Sequence, residues 1–270
     1  MPERAPGGGG GHNGAMLAEE LRVAVEAART AGDEVARLRR EGVRYGRKEG
    51  WELVSEADIR AAEILHEKLT RAFPSDGWLS EEHTDSAHRL DRDRVWIVDP
   101  IDGTREYLQG IPEYAISIGL AIEGRPALGV VLNPASGELF AADCLASAER
   151  PPTQSTGSPF DVLVGRGEQT HDELPPLPPG AKPRGVGSVA YRLALLSRGE
   201  GNAVVTGYGR AEWDVAAGAA LCLAAGLRVT GVLGDPLVFN QPEPHVRGLL
   251  AAEPGLHGRL GAFLRQFRRD

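Results

Sequence analysis

The sequence predicts a mixed α/β fold of the α+β type, in which helices and sheets lie in layers. Helical spacing of apolar residues dominates residues 16–72, and strand-length apolar runs begin at Val95. From about residue 160, strand-like and helical segments alternate. Because the strands of the first half follow one another through short turns, that half is expected to form a mostly antiparallel sheet.

Apolar residues recur every three or four positions in the first two predicted helices. The first extends from residue 16 to about 40 and the second from about 56 to 72, where Pro74 ends it. A short irregular or hairpin segment joins them. The apolar positions are Leu17, Leu21, Val25, Ala28, Val35 and Leu38 in the first helix, and Ala62, Leu65, Leu69 and Ala72 in the second.

Four strands are predicted next. Residues 95–98 form a continuous apolar run, as expected for a buried strand. Two more strands, over 115–122 and 127–132, are joined by a short turn, and a fourth follows over 138–142. This succession is typical of a β-meander.

Composition divides the chain. Residues 1–15 contain five consecutive glycines and are expected to form a disordered tail. Pro/Gly/Ser-rich connectors are predicted over 150–159 and 175–185, and the first separates an N-terminal α+β subdomain (16–150) from a C-terminal α/β subdomain (151–270). In the second subdomain, strands are predicted over 161–165, 203–206, 228–233 and 248–252, and helices over 188–198, 214–225 and 256–268.

The charge balance limits the partners. The 270 residues include 30 basic and 38 acidic side chains, which gives a net charge of −8 and argues against nucleic acid or a membrane surface as the main partner. A phosphorylated small molecule stays open, since a bound metal can reverse the local charge. Two cysteines cannot build a disulfide framework, and neither a membrane span nor a signal peptide is evident, so a cytoplasmic location is expected.

The strongest functional signal is the string Trp96-Ile97-Val98-Asp99-Pro100-Ile101-Asp102-Gly103-Thr104. A buried strand ends at Asp99, a turn follows, and Asp102 precedes a Gly-Thr pair that opens a short helix. Two carboxylates at the end of a strand suit a hard divalent cation, and backbone amides at a helix start suit a phosphate. Together they indicate metal-assisted phosphoryl chemistry.

Other interpretations of these patterns are open. Asp102-Gly103-Thr104 could simply cap a helix. The haloacid dehalogenase signature DxDxT has its nucleophilic aspartate two positions before the second, whereas Asp99 and Asp102 are three apart. Gly185-Val186-Gly187-Ser188-Val189-Ala190 resembles a dinucleotide-binding motif but lacks a preceding apolar strand. The seven histidines show no ligand spacing, which argues against zinc.

Three further clusters contain acidic residues. Glu81-Glu82 follows an apolar residue and could add a metal ligand or form a solvated turn. Asp214, in Glu212-Trp213-Asp214, stands at the head of an alanine-rich helix, where it could bind a metal or serve as a cap. Ser55-Glu56-Ala57-Asp58 matches a capping box.

Taken together and in order, these clusters resemble the inositol monophosphatase superfamily of metal-dependent, lithium-sensitive phosphatases. The superfamily pattern is an acid pair, then DP[IL]DGT, then WD with small residues behind it, and the likeness covers about residues 16–270. It implies a five-layered αβαβα sandwich whose metal site lies in the N-terminal subdomain and is completed by the C-terminal one.

The resemblance also implies roles for single residues. Two or three Mg²⁺ ions per active site are the implied cofactors, and a water molecule activated by the metal would attack the phosphate. The hydroxyl of Thr104, together with Asp58, would orient that water. The implied metal ligands are Glu81, Asp99, the Ile101 carbonyl, Asp102 and Asp214.

Within the superfamily, the likeness is greatest to the CysQ-type 3′(2′),5′-bisphosphate nucleotidases. Gly207 stands where the inositol enzymes place a sugar-binding glutamate, and Arg192 stands near a lysine of the CysQ pattern. The CysQ-like strings include Glu212-Trp213-Asp214 and Pro236-Leu237-Val238-Phe239-Asn240-Gln241-Pro242. The substrate-binding residues expected on this basis are Gly103, Thr104, Arg105, Ser188, Arg192 and Arg210.

The expected reaction is removal of the 3′-phosphate of adenosine 3′,5′-bisphosphate, a step connected with sulfur metabolism. The alternative enzymes are an inositol-1-phosphate or fructose-1,6-bisphosphate phosphatase. An alternative of another class is an inactive regulator that binds a metal or a nucleotide. The expected partner is a small phosphorylated substrate, with neither nucleic acid nor membrane, and a homodimer is one candidate assembly because homodimers are common in the superfamily.

Overall fold

Two five-stranded sheets organise the protein. The computed structural model describes residues 17–47, 53–145, 159–171 and 174–267. The predicted tail over 1–15 and the predicted boundary at 150 and 151 lie outside these described residues. The strands of the first sheet come from residues before 146 and those of the second from residues after 158.

The described part of the chain contains seven α-helices and fourteen strands. The helices are α1 (Ala18–Glu41), α2 (Glu56–Ala72), α3 (Thr104–Gln109), α4 (Arg166–Thr170), α5 (Val189–Arg198), α6 (Glu212–Ala224) and α7 (Pro254–Leu264). The strands are β1 (Tyr45–Arg47), β2 (Leu53–Ser55), β3 (Gly77–Ser80), β4 (Arg94–Asp102), β5 (Ala115–Ile122), β6 (Arg125–Leu132), β7 (Leu139–Asp143), β8 (Phe160–Gly165), β9 (Ala181–Val186), β10 (Ala203–Thr206), β11 (Arg210–Ala211), β12 (Arg228–Thr230), β13 (His245–Val246) and β14 (Leu249–Ala252). β1 and β2 pair antiparallel, which agrees with the hairpin rather than the irregular alternative for the segment between the first two helices.

The first sheet has the order β3-β4-β5-β6-β7. Strands β4 to β7 pair antiparallel in sequence order, which confirms the predicted meander. No sequence pattern predicts β3, because four residues are too few to show a period, and β3 pairs parallel with β4. β4 runs beyond the predicted strand to Asp102, with a shift of register against β5 between Asp99 and Asp102.

Helices cover both faces of the first sheet. The apolar stripes of α1 and α2 pack on one face, and α6 packs on the other. α6 approaches the sheet closely, since a Cβ at Gly129 would lie 2.1 Å from the carbonyl oxygen of Ala217. The absence of a side chain at Gly129 on β6 therefore permits this close approach.

The second sheet has the order β12-β14-β10-β8-β9. α5 and α6 lie between the two sheets, and α7 covers the outer face of the second. The layers thus follow the order αβαβα, which confirms the expected sandwich. Among the described helices, none has a stretch that is both long and apolar enough to cross a bilayer.

One prediction for the second half is wrong in detail, and one helix has no predicted counterpart. The connector predicted over 175–185 ends in a strand, because residues 181–186 form β9. β9 is an edge strand whose Lys182, Pro183 and Arg184 are exposed, so it lacks the apolar pattern by which a strand is recognised. α4 lies over β9 and was equally absent from the apolar pattern, since only five residues form it.

Candidate active site

The end of β4 brings the first two aspartates together. β4 is buried along nearly its whole length, so Asp99 and Asp102 emerge at the end of a rigid strand. The amide of Ile101 donates to Asp99 Oδ1 over 2.9 Å, which fixes the turn between the two carboxylates. Gly103 then adopts φ 94°, a left-handed conformation that favours glycine, and starts α3.

A third aspartate joins them from the other half of the chain. One carboxylate oxygen from each of Asp99, Asp102 and Asp214 lies within 4.8 Å of the other two, and we call this group the acidic triad. Asp214 occupies the first turn of α6. The start of that helix is held against β5, since the Ser117 hydroxyl donates to the Trp213 carbonyl over 3.0 Å.

The electrostatics of the acidic triad favour a cation. Burial raises the pKa of Asp99 well above its usual value, and the charges of Glu81 and Asp102 raise it further. Burial likewise raises the pKa of Asp214, with added repulsion from Asp102 and Glu81. Buried carboxylates that repel one another are stabilised by a hard cation with oxygen ligands, so this donor set fits a divalent metal.

Glu81 and Ile101 lie beside the acidic triad. Glu81 directly follows β3, and its amide donates to the Val98 carbonyl, so the parallel pairing of β3 with β4 carries Glu81 to the same end of the sheet as Asp99. The Ile101 carbonyl oxygen lies 3.1 Å from the hydroxyl oxygen of Thr104. The predicted metal ligands are thus brought to one region.

Thr104 and Asp58 are in direct contact. The Thr104 hydroxyl lies 3.0 Å from Asp58 Oδ1, although the two residues are 46 positions apart. Asp58 also completes the capping box of α2, because its Oδ2 accepts from the Ser55 amide over 2.7 Å. Asp58 therefore caps α2 with one carboxylate oxygen and contacts Thr104 with the other.

The second oxygen of Asp102 is held from behind. Oδ2 accepts hydrogen bonds from the Ser188 hydroxyl and from the Ala190 amide, each over 2.6 Å. Burial is the largest influence on the pKa of Asp102 and raises it above its usual value. The two hydrogen bonds partly offset this rise. Ser188 is completely buried, so the structure places this predicted substrate-binding side chain against Asp102.

These groups border a cavity of about 490 Å³. Asp58, Asp99 and Ser188 are buried behind its wall. The residues from the sequence prediction that line the cavity are Glu81, Asp102, Gly103, Thr104, Arg105, Arg192, Arg210 and Asp214.

Two arginines in the cavity wall have unusual surroundings. Arg192 is 1% exposed, and burial, together with the charge of Arg210, lowers its pKa to about 10. Arg210 is paired with Glu168, itself buried. Within the described part of the chain, Nη1 of Arg192 and Nε of Arg210 are buried without a hydrogen-bond partner. We call Arg192 and Arg210 the anion seat.

Sequence reasoning missed part of the wall. Arg166, Glu168 and His171, from α4 and its end, and Tyr208 also line the cavity. No motif singles them out, because α4 is short and Tyr208 stands in a loop. The only available signal is Glu168, three residues after Gly165, where its carboxylate accepts from the Gly165 amide as in a capping box.

The comparisons with known proteins agree with this geometry. Residues 16–266 match the inositol monophosphatase family. The chain is 32% identical over 216 residues to a 3′-phosphoadenosine 5′-phosphate phosphatase of Mycobacterium bovis, covering 74% of this chain and 77% of that protein. It is 33% identical over 236 residues to an inositol-1-monophosphatase of Mesorhizobium japonicum, covering 76% and 83%.

The fold is also that of a solved relative. The crystal structure of the extragenic suppressor protein SuhB from Bartonella henselae superposes with a TM-score of 0.76 at 26% identity, covering 93% of this chain and all of that one. The family match spans both sheets and the acidic triad. The chain therefore belongs to the inositol monophosphatase family and is a phosphoric monoester hydrolase.

Proposed function

We propose that the protein is a Mg²⁺-dependent phosphatase that removes the 3′-phosphate of adenosine 3′,5′-bisphosphate. One observation carries the proposal. Arg192 and Arg210 line the same cavity as the acidic triad, and each has a buried guanidinium N–H group that lacks a partner among the described residues. A substrate with two phosphates, of which one is cleaved and one retained, uses both regions.

The metal ligands follow from the donor set. Asp99, Asp102 and Asp214, with Glu81 and the Ile101 carbonyl beside them, are all oxygen donors, which Mg²⁺ prefers. We assign two or three Mg²⁺ ions to this group. When bound, such ions lower the pKa of water and stabilise the charge on a leaving oxygen.

The chain itself supplies the positioning of the water. Because the Thr104 hydroxyl donates to Asp58, its oxygen is free to accept a hydrogen bond from a water molecule on the cavity side. Asp58 is buried and is the acceptor toward which that proton would be relayed. The amides of Gly103 and Thr104, at the start of α3, are proposed to hold the phosphate that is cleaved.

The retained phosphate is assigned to the anion seat. Arg210 pairs with Glu168, whereas the guanidinium of Arg192 has no ion-pair partner of its own among the described residues and can attract a phosphate. Arg105 is exposed at the cavity wall and adds a third guanidinium. Tyr208, whose side chain is 52% exposed, offers a flat ring on which adenine can stack.

The second candidate is hydrolysis of inositol-1-phosphate, which the name of the Mesorhizobium japonicum relative favours. Fructose-1,6-bisphosphate is the third substrate to compare. The test measures kcat/KM for these two sugar phosphates and for adenosine 3′,5′-bisphosphate at one Mg²⁺ concentration. The nucleotide should be preferred, and a clear preference for either sugar phosphate contradicts the substrate assignment while leaving the phosphatase activity intact.

Substitution of the anion seat sharpens the test. Arg192→Met keeps the length of the side chain and removes its charge, so kcat/KM for the bisphosphate should fall about 10- to 100-fold, as for loss of a hydrogen bond to a charged group. Hydrolysis of inositol-1-phosphate should change much less. Arg192→Lys should retain more activity than Arg192→Met, and Arg125→Met, at the exposed first residue of β6, is the matched control.

A further inference from the structure

One carboxylate oxygen of Asp102 is bound by the chain itself. Its Oδ2 receives two short hydrogen bonds, from the Ser188 hydroxyl and from the Ala190 amide, each over 2.6 Å. Both donors belong to the beginning of α5, a helix of ten residues. Because Oδ2 is occupied in this way, Oδ1 is the oxygen that remains for the acidic triad.

The Ser188 hydroxyl has a fixed direction. Its oxygen accepts from the Tyr191 amide over 2.9 Å as the cap of α5, so its single proton is left to donate to Asp102. The backbone on either side is also held, since the Ser188 amide donates to the Glu113 carbonyl over 3.0 Å and the Gly187 amide to Glu113 Oε2 over 2.9 Å. The donor therefore cannot turn away from the carboxylate without breaking the start of α5.

We propose that Ser188 is a positioning residue that sets the affinity of the protein for its divalent cation. It orients Asp102 for cation binding and does not touch the substrate, because its side chain is completely buried behind that carboxylate. This inference rests on the proposed function in one respect, the assignment of Asp102 as a cation ligand. Groups that hold a metal ligand from behind typically change metal affinity about 10- to 100-fold.

Ser188 contacts the proposed cation ligand Asp102 through its side chain and Arg192 through its backbone. Arg192 of the anion seat is held by the Ser188 backbone, since the Ser188 carbonyl accepts from the Arg192 amide over 3.1 Å and from its Nε over 3.3 Å. A change of the Ser188 side chain leaves that carbonyl in place. Substitution should therefore weaken cation binding while KM for the bisphosphate at saturating Mg²⁺ stays unchanged.

The test is a calorimetric titration of the chelator-treated full-length protein with Mg²⁺ in the absence of substrate. Ser188→Gly removes the hydroxyl at a capping position where glycine is tolerated, and Ser188→Ala is the second variant. Both should bind Mg²⁺ about tenfold or more weakly. Ser188→Thr restores the hydroxyl and should bind like the wild type.

Glu253→Gly is the matched control, because it removes the cap of α7, a carboxylate that accepts hydrogen bonds from the Gly255 and Leu256 amides. Its Mg²⁺ affinity should equal that of the wild type. If Ser188→Gly and Ser188→Ala bind Mg²⁺ as tightly as the wild type, or if KM rises while Mg²⁺ affinity is unchanged, the positioning role is overturned. If the wild type itself binds no Mg²⁺, the proposed metal site fails, and the inference fails with it.

Discussion

Asp99 illustrates the conflict between stability and function at this site. It is 2% exposed and faces two other carboxylates, which raises its pKa and makes its charge costly in the metal-free protein. The same charge is what attracts a cation. Residues that are costly to the fold but suited to a ligand are characteristic of functional sites.

Asp99→Asn should therefore stabilise the metal-free protein and remove its response to metal. In chelator at neutral pH, the free energy of unfolding should rise, because the amide removes a charge that burial and the neighbouring carboxylates make costly. Thermal melts with and without Mg²⁺ measure both effects. Two results would contradict this role of Asp99. One is a lower melting temperature than the wild type in chelator, and the other is a rise in melting temperature with Mg²⁺ as large as that of the wild type.

Thr104 should act on turnover rather than on binding. Thr104→Ala removes the hydroxyl that lies against Asp58, and kcat should fall by about 100-fold, a typical contribution of a positioned proton acceptor. KM should change little, because the phosphate is proposed to be held by backbone amides. Thr104→Ser keeps the hydroxyl and is the control, and a rise in KM with kcat unchanged would make Thr104 a binding residue only.

His257 should make the stability of the fold depend on pH. It is buried, lies 3.0 Å from the Thr230 hydroxyl, and its pKa is lowered to about 4, mainly by burial and further by Arg228. An unfolded histidine has a pKa of about 6.5, so between pH 6.5 and 4 protons bind to the unfolded chain only. Above this window His257 does not reduce the free energy of unfolding. As the pH falls through the window, that free energy decreases by up to about 3 kcal/mol.

The measurement is denaturant unfolding at several pH values for the wild type and for His257→Gln. The difference in the free energy of unfolding between the two should shrink as the pH falls from 6.5 to 4. Other titrating groups are common to both proteins and cancel in this difference. Parallel pH curves would contradict the assignment.

Among the secondary-structure elements, the start of α6 depends on a buried network. The Glu212 carboxylate accepts from the amides of Asn240 and Gln241, and Arg89 donates to the Asn240 side chain over 2.8 Å and to the Gln241 carbonyl over 2.9 Å. Arg89 also pairs with Asp85. The network joins the segment that follows Glu81 to the helix that carries Asp214, and it gives the Pro236-to-Pro242 string a structural role.

Arg89→Met should accordingly destabilise the fold. The substitution leaves the Asn240 oxygen and the Gln241 carbonyl without their donor, at a cost of about 2–3 kcal/mol in the free energy of unfolding. Chemical denaturation measures this change. Arg92→Met, at an exposed position nearby, is the control and should change stability little. Equal stabilities of the two variants would show that the network does not hold α6.

The elements differ in how well the sequence predicts them. α1, α2 and the strands β4 to β7 are long or strongly patterned, and their existence follows from apolar periodicity. β3, β9 and α4 have at most six residues or lie at an edge, where tertiary contacts rather than pattern decide the structure. The missed elements matter for the site, since β3 leads to Glu81 and α4 supplies Arg166 and Glu168.

Across the whole molecule, the cavity lies where both halves of the chain meet. The order of the acidic motifs predicts the family and identifies the acidic side chains of the site. It does not identify the backbone segments that position those side chains. Ser188 shows the limit, because its burial behind Asp102 depends on how α5 lies between the two sheets. Tyr208 and α4 likewise reach the cavity only through long-range packing.

The central claim is that the acidic triad supports hydrolysis of a bisphosphate nucleotide with a divalent cation. Phosphate release from adenosine 3′,5′-bisphosphate, measured for the wild type and Asp214→Asn in Mg²⁺ and in chelator, tests it most directly. The wild type should release phosphate in Mg²⁺ and lose that activity in chelator, and Asp214→Asn should be nearly inactive in both while remaining folded. Equal rates for the wild type in chelator and in Mg²⁺, or near-normal turnover by Asp214→Asn, would contradict the account.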